Sequence, residues 1–161
     1  MEPLALVLSL LSLLTAASIL LRGNQVLTRI PARYDDLRGL MVLVSQFAKS
    51  AGLNESEAYA CRLAIDEACV NIIEHAYFSN QSGEIEVWLK AGPGVCEICL
   101  TDFGQPYNPQ EMIPATRAIG LEHARPGGLG LHLINTMMDV VVYRPSPHGN
   151  SLLMVKRRTG A

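Results

Sequence analysis

The chain has 161 residues, a formal net charge of -2 and a pI near 6.1, with 49% hydrophobic and 17% charged residues. That is one domain's worth of a globular protein rather than a disordered one. The weak negative charge argues against a nucleic-acid partner held by phosphate neutralisation, since the only basic run is Lys156-Arg157-Arg158.

Pro3 to Leu21 is nearly all Leu, Ala, Val and Ile, without a charge, and is about as long as a bilayer span. A secretory signal would carry positive charge ahead of the apolar run, where only Glu2 stands. Arg22, Arg29 and Arg33 follow it, which by the positive-inside tendency leaves the remainder in the cytoplasm. Three readings stay open for residues 1–22: a membrane anchor, a helix against the domain or a partner, and residues translated from a start upstream of the natural one. Residues 23–161 then form the globular domain.

Gln25 to Pro31 alternates and reads as a first strand. Asp35 and Asp36 open a helix with Leu37, Leu40, Met41, Val44, Phe47, Ala48 and Ala51 at helical spacing, ended by Gly52. Asn54-Glu55-Ser56-Glu57 resembles a capping box and opens a second helix running to about Phe78. On it Ile65, Ala68, Ile72 and Ala76 make a buried stripe, and Glu67, Asn71 and His75 rise four residues apart along a neighbouring face. Glu84–Lys90 and the run through Cys96, Ile98 and Leu100 alternate as a hairpin around Ala91-Gly92-Pro93-Gly94. Cys96 and Cys99 form a C-x-x-C, but on a strand these positions point to opposite faces, so buried thiols rather than zinc ligands are expected. Residues 105–126, with four prolines, have no steady period and read as a functional loop or lid. Gly127-Gly128-Leu129-Gly130 leads into a third helix, and Val140–Tyr143 and Leu152–Lys156 end the domain as strands.

A carboxylate one turn from a carboxamide is either a solvated pair or a general base beside a metal ligand. Glycines before a helix let backbone N–H groups approach a phosphate. Asp102 at a strand end can accept from an exocyclic amine. Their order along the chain is more specific than any one of them: Glu67 and Asn71, then Asp102-Phe103-Gly104, the lid, and Gly128-Leu129-Gly130.

In these segments (Asp66–Asn71 with His75-Ala76-Tyr77, Thr101–Gly104, and Gly127–Leu131) the chain resembles the GHKL class of ATP-binding domains. Within it the chain looks most like the anti-sigma factor serine kinases, from about Gln25 to Lys156. The N-terminal apolar segment lies outside that pattern. The resemblance implies an α+β, two-layer fold with helices on one face of a mixed, mostly antiparallel sheet. It implies ATP and Mg²⁺ as cofactors, with Asn71 ligating the metal and Glu67 as general base. Asp102 would bind the adenine amino group, Gly104 would leave room for the base, and Gly128, Leu129 and Gly130 would meet the phosphates. Arg125 would steady the transferring charge. The implied activity is serine phosphorylation of an anti-sigma factor antagonist by a cytoplasmic homodimer that also sequesters a sigma factor, with membrane attachment only through residues 3–21. An ATP-binding module without phosphoryl transfer and a fragment of a histidine kinase are the alternatives. No histidine stands upstream of the central helix, which disfavours a self-contained histidine kinase.

Overall fold

A computed structural model describes residues 19–22, 24–79, 82–107 and 128–160. Strands β1 (Ile19–Arg22), β2 (Gln25–Pro31), β3 (Glu84–Gly92), β4 (Val95–Asp102), β5 (Val140–Arg144) and β6 (Asn150–Arg157) form one sheet. Its order is β1-β2-β3-β4-β6-β5, and every neighbouring pair is antiparallel. The two-layer α+β architecture is as the sequence predicts, but the expected mixed sheet is wholly antiparallel among the described residues. The hairpin tip is also tighter than expected. Strand pairing continues through Gly92 and Val95, leaving Pro93 and Gly94, whose φ of 70° suits glycine.

The first strand predicted from sequence is the second in the sheet. Ile19 pairs with Thr28 and Arg22 with Gln25, so the end of the apolar segment belongs to the sheet edge. The rest of that segment, residues 1–18, lies outside the described residues. Among the described residues no helix is long and apolar enough to cross a membrane.

Helices α1 (Leu37–Ser50), α2 (Glu55–Asn71) and α3 (Gly128–Met137) cover one face. A short 3₁₀ turn over Tyr34–Asp36 precedes α1, and Gly52, at φ 84°, ends the turn that follows it. Leu40, Val44 and Ala48 of α1 meet Ala64, Ile65 and Ala68 of α2 in the core above Ile85, Val87, Leu89, Ile98, Leu100 and Met154. Burying one such Ile or Leu side chain is worth about 1.5–3 kcal/mol. Alternation fixes the strand faces: Cys96 faces this core, whereas Cys99 lies half-buried on the opposite face. No cluster of metal-ligating side chains occurs among the described residues.

The capping box forms as the sequence predicts. Glu57 N–H donates to Asn54 Oδ1 at 2.9 Å, and Asn54 N–H donates to Glu57 Oε2 at 2.8 Å. The other Glu57 oxygen accepts from Thr159 N–H and Thr159 Oγ1, both at 2.7 Å, which ties the end of the chain to the start of α2.

Candidate functional site

The far end of α2 is built differently. After Asn71 the helix widens into a π turn over Ile72–Ala76, and Tyr77 N–H donates to Ile72 O at 3.1 Å. The wider turn changes the angular position of His75, so only Glu67 and Asn71 keep regular α-helical spacing. Phe78 and Ser79 then take left-handed backbone conformations, with φ of 51° and 60°. Such conformations cost non-glycine residues roughly 1 kcal/mol each.

This irregular end gathers around it the segments that the sequence singles out. Gln105 N–H donates to Ala76 O at 2.9 Å, docking the end of β4 on the π turn. Tyr77 Oη accepts from Phe103 N–H at 2.9 Å and donates to Glu84 O at 2.7 Å, tying helix, β3 and β4 together. At Gly104 an added Cβ would run into the carbonyl of Ala76, so the approach of chain to chain itself requires glycine here. At Gly130 an added Cβ would lie 2.5 Å from Glu67 Oε2, so the first turn of α3 presses directly on the Glu67 carboxylate.

Within this frame Asn71 is buried at the last position of α2. Glu67 is half-buried, and its pKa is raised by burial and then by the nearby charges of Asp66 and Glu74. Asp102 is 2% exposed and its pKa is likewise raised by burial. Its Oδ1 accepts from Asn150 Nδ2 at 2.8 Å and from Gly104 N–H at 3.0 Å, which offsets part of that rise. Gly128, Leu129 and Gly130 are the first three residues of α3. Backbone N–H groups in a first helical turn lack intrahelical acceptors and favour an anion. Arg125 and most of the expected lid lie outside the described residues.

Three participants escaped sequence reasoning. Asn150 is 1% exposed, and its Oδ1 has no hydrogen-bond partner among the described residues. Its signal was available: extending the inward alternation of Leu152 and Met154 one step back reaches a polar residue. Tyr107 places its ring 6.0 Å from that of His75 and 5.5 Å from that of Tyr143, giving a run of flat surfaces near Asp102. Tyr143, the third, is marked in sequence only as a strand residue. Among the described residues His75 Nε2 is buried without a hydrogen-bond partner, and it stands 4.0 Å from Glu74 Oε2. The site therefore combines unpaired polar atoms, two carboxylates with raised pKa values, flat rings and a helix N-terminus.

The model of the histidine kinase-like ATPase domain matches residues 30–156. The chain belongs to this family. Among curated relatives, the serine-protein kinase RsbW of Bacillus subtilis is 27% identical over 117 residues, 70% of this chain and 73% of the relative. RsbW of Bacillus velezensis is 28% identical over 136 residues (82% and 84%), and that of Bacillus thuringiensis 29% over 139 residues (84% and 86%). A crystal structure of RsbU and RsbW domains from Mycobacterium tuberculosis has a TM-score of 0.56 and 16% identity, covering 83% of this chain and 32% of that one. At that identity the likeness concerns the fold. For an ATPase-domain family the donor set described above fits the expected ligand. A buried carboxamide oxygen suits Mg²⁺, a buried carboxylate suits an amino group, and a helix N-terminus suits phosphates.

Proposed function

We propose that the protein is an ATP-dependent protein serine kinase that acts as an anti-sigma factor. What carries the reading is the convergence of Glu67, Asn71, Asp102 and the start of α3 on the irregular end of one helix, with Gly130 against Glu67. Bound Mg-ATP would supply the transferable phosphoryl group and the charge that neutralises it.

In this reading Asn71 holds the Mg²⁺, and Asp102, kept in orientation by Asn150 and the Gly104 N–H, accepts from the adenine amine. The rings of His75, Tyr107 and Tyr143 offer apolar flanks to the base. Gly104 serves the pocket by letting β4 approach Ala76 closely. The backbone N–H groups of Gly128, Leu129 and Gly130 receive phosphate oxygens. Glu67 takes the proton of the attacking serine, and a raised pKa brings a carboxylate nearer to the value that suits a base at neutral pH. Arg125 would steady charge on the transferring group. The partners are an anti-sigma factor antagonist as substrate, a sigma factor bound in the ATP state, and a second copy of the chain. The place of action is the cytoplasm.

The test pairs two measurements on one preparation: Mg-ATP affinity by calorimetry, and transfer from labelled ATP to a serine of a candidate antagonist. Both positive supports a kinase. Mg-ATP binding without transfer to any antagonist would reduce the protein to an ATP-gated binding module, and absence of Mg-ATP binding would remove the reading altogether.

A further inference from the structure

The basic run Lys156-Arg157-Arg158 spans the end of β6 and plays no part in the nucleotide site. Its first member is committed, since Lys156 Nζ donates to Met137 O at 2.9 Å and stands 3.6 Å from Asp139 Oδ1. Arg158 has no ion-pair partner among the described residues, whereas Lys49 and Lys90 hold Glu55 at 2.8 Å and Glu97 at 3.2 Å. Its backbone is fixed all the same. Arg158 N–H donates to Gly94 O at 2.8 Å, and Gly94 N–H donates to Ala51 O at 2.7 Å, which laces the chain after β6 to the β3–β4 tip and the end of α1. The guanidinium lies along the same two turns: a Cβ built at Gly94 would stand 3.8 Å from its Nε, and one at Gly52 3.9 Å from its Nη1. These segments enclose a cavity of about 370 Å³. Phe47 and Ala51 of α1, Ala91 of β3 and Pro93 form apolar walls, and Arg158 is the one charged residue in the lining.

We propose that this cavity binds a small organic acid, its carboxylate on Arg158 and its apolar body against Phe47, Ala91 and Pro93. The planar guanidinium matches a carboxylate with two parallel donors, and none of the lining residues supplies an acid to occupy it. The backbone carbonyls that end α1 make no competing demand. Phe47 O accepts from Ser50 Oγ at 2.7 Å, Ala48 O from Leu53 N–H at 3.2 Å, and Lys49 O from Gly52 N–H at 2.9 Å. Charge sets the class of ligand more narrowly. One guanidinium balances one negative charge, and the C-terminus of α1 adds partial negative charge beside it, so a phosphate dianion is disfavoured against a carboxylate. The apolar walls exclude acids that are all charge, because nothing in such a ligand would replace the water that leaves the cavity. Its volume lies at the small end of ligand sites, roughly 300–1,000 Å³, which suits an acid with one ring or a short branched chain. The site stands beside Gly52, just before α2, whereas Asn71 closes that helix 17 residues on. At 1.5 Å per residue the two ends are about 25 Å apart, so the proposal does not rest on the ATP reading.

The experiment titrates the full ¹⁵N-labelled chain with 3-phenylpropanoate and follows backbone amide signals by NMR. Its uncharged amide, 3-phenylpropanamide, and acetate serve as comparisons. The expected result is saturable movement of the Gly52, Gly94 and Arg158 signals, with a dissociation constant of about 1 mM or tighter, and a still signal at Gly130. The amide and acetate should each bind at least about tenfold more weakly, the first lacking the charge and the second the apolar body. Arg158→Gln keeps the backbone N–H that holds Gly94; it should weaken the acid about tenfold or more and leave the amide within about twofold. Should that variant not fold, the comparison of acid with amide on the wild-type chain decides alone. Equal binding of acid and amide overturns the proposal, because the cavity would then be an apolar cleft indifferent to charge. Acetate as tight as 3-phenylpropanoate overturns it too, leaving only a surface cation. Absence of any shift up to about 20 mM removes the site, as does movement confined to Gly130. Loss of Mg-ATP binding with acid binding intact counts against the kinase reading and leaves this one standing.

Discussion

The two ends of α2 belong to one continuous helix and are built on opposite terms. At the N-terminal end the capping groups are paired: Asn54 and Glu57 satisfy each other, and the spare Glu57 oxygen holds Thr159. There the Glu57 pKa is lowered, first by the Thr159 N–H and then by the Asn54 N–H. At the C-terminal end the helix widens, two non-glycine residues take left-handed backbone, and His75 Nε2 lacks a partner among the described residues. Nearby, burial raises the pKa values of both Glu67 and Asp102, with the charges of Asp66 and Glu74 adding to the rise at Glu67 and hydrogen bonds from Asn150 and Gly104 offsetting part of it at Asp102. The difference teaches where the molecule spends stability: the first end fixes the fold, and the second leaves polar groups unpaired among the described residues, as the proposed nucleotide site requires.

The largest expected effect tests that division directly. Glu67→Gln keeps the shape but removes the proposed base, so antagonist phosphorylation should fall about 10² to 10⁴-fold while Mg-ATP affinity changes only a few-fold. A raised carboxylate pKa means that ionising the group opposes folding as pH rises from the ordinary carboxylate value through the folded one. The variant should therefore melt no lower than wild type at neutral pH, and a lower melting temperature would make Glu67 a structural residue. Saturating Mg-ATP should come next, stabilising the fold by about 2.7 kcal/mol at a hundred times the dissociation constant. A thermal melt insensitive to Mg-ATP would leave the irregular end without its proposed ligand. Asn71→Ala should abolish the Mg²⁺-dependent part of that stabilisation, with Cys96→Ser keeping it.

A smaller effect separates packing from ligand room at Gly104. Its Cβ would meet the Ala76 carbonyl, so Gly104→Ala should cost about 1–3 kcal/mol in urea unfolding even without nucleotide. A variant of unchanged stability and lost ATP affinity would instead favour a glycine kept only for the base.

Much of this was legible in the sequence because the governing rules are local. The capping box needs only Asn54 and Glu57 three residues apart, and the alternation in β3 and β4 assigns every inward residue. What escaped depends on contacts across the chain. Nothing local marks the π turn, since Ile72–Ala76 reads as ordinary helix, and it is the docking of Gln105 on Ala76 and Phe103 on Tyr77 that anchors it. The edge strand β1 was absorbed into an apolar run because composition there outweighs alternation.

The smallest expected effect lies at the satisfied end, and it sharpens the comparison by its sign. Glu57 is held ionised by the Thr159 and Asn54 N–H groups, so its folded pKa lies below the unfolded value. A depressed carboxylate pKa contributes stability that is fully present above the unfolded value and is lost as pH falls through the folded one. Glu57→Gln should therefore lower the melting temperature at pH 7, and the gap to wild type should shrink as the solution is acidified below the ordinary carboxylate range. Asn54→Ala, which removes the reciprocal partner, should cost about 1 kcal/mol, typical of a lost N-cap. Neither change should touch Mg-ATP affinity, because the capping box stands at the other end of α2 from Asn71. Glu67→Gln should give the reverse pH trend, with wild type gaining on the variant as acid returns the proton to Glu67. If both glutamates shifted stability with pH in the same direction, the two ends would share one electrostatic character and the division drawn between them would fail.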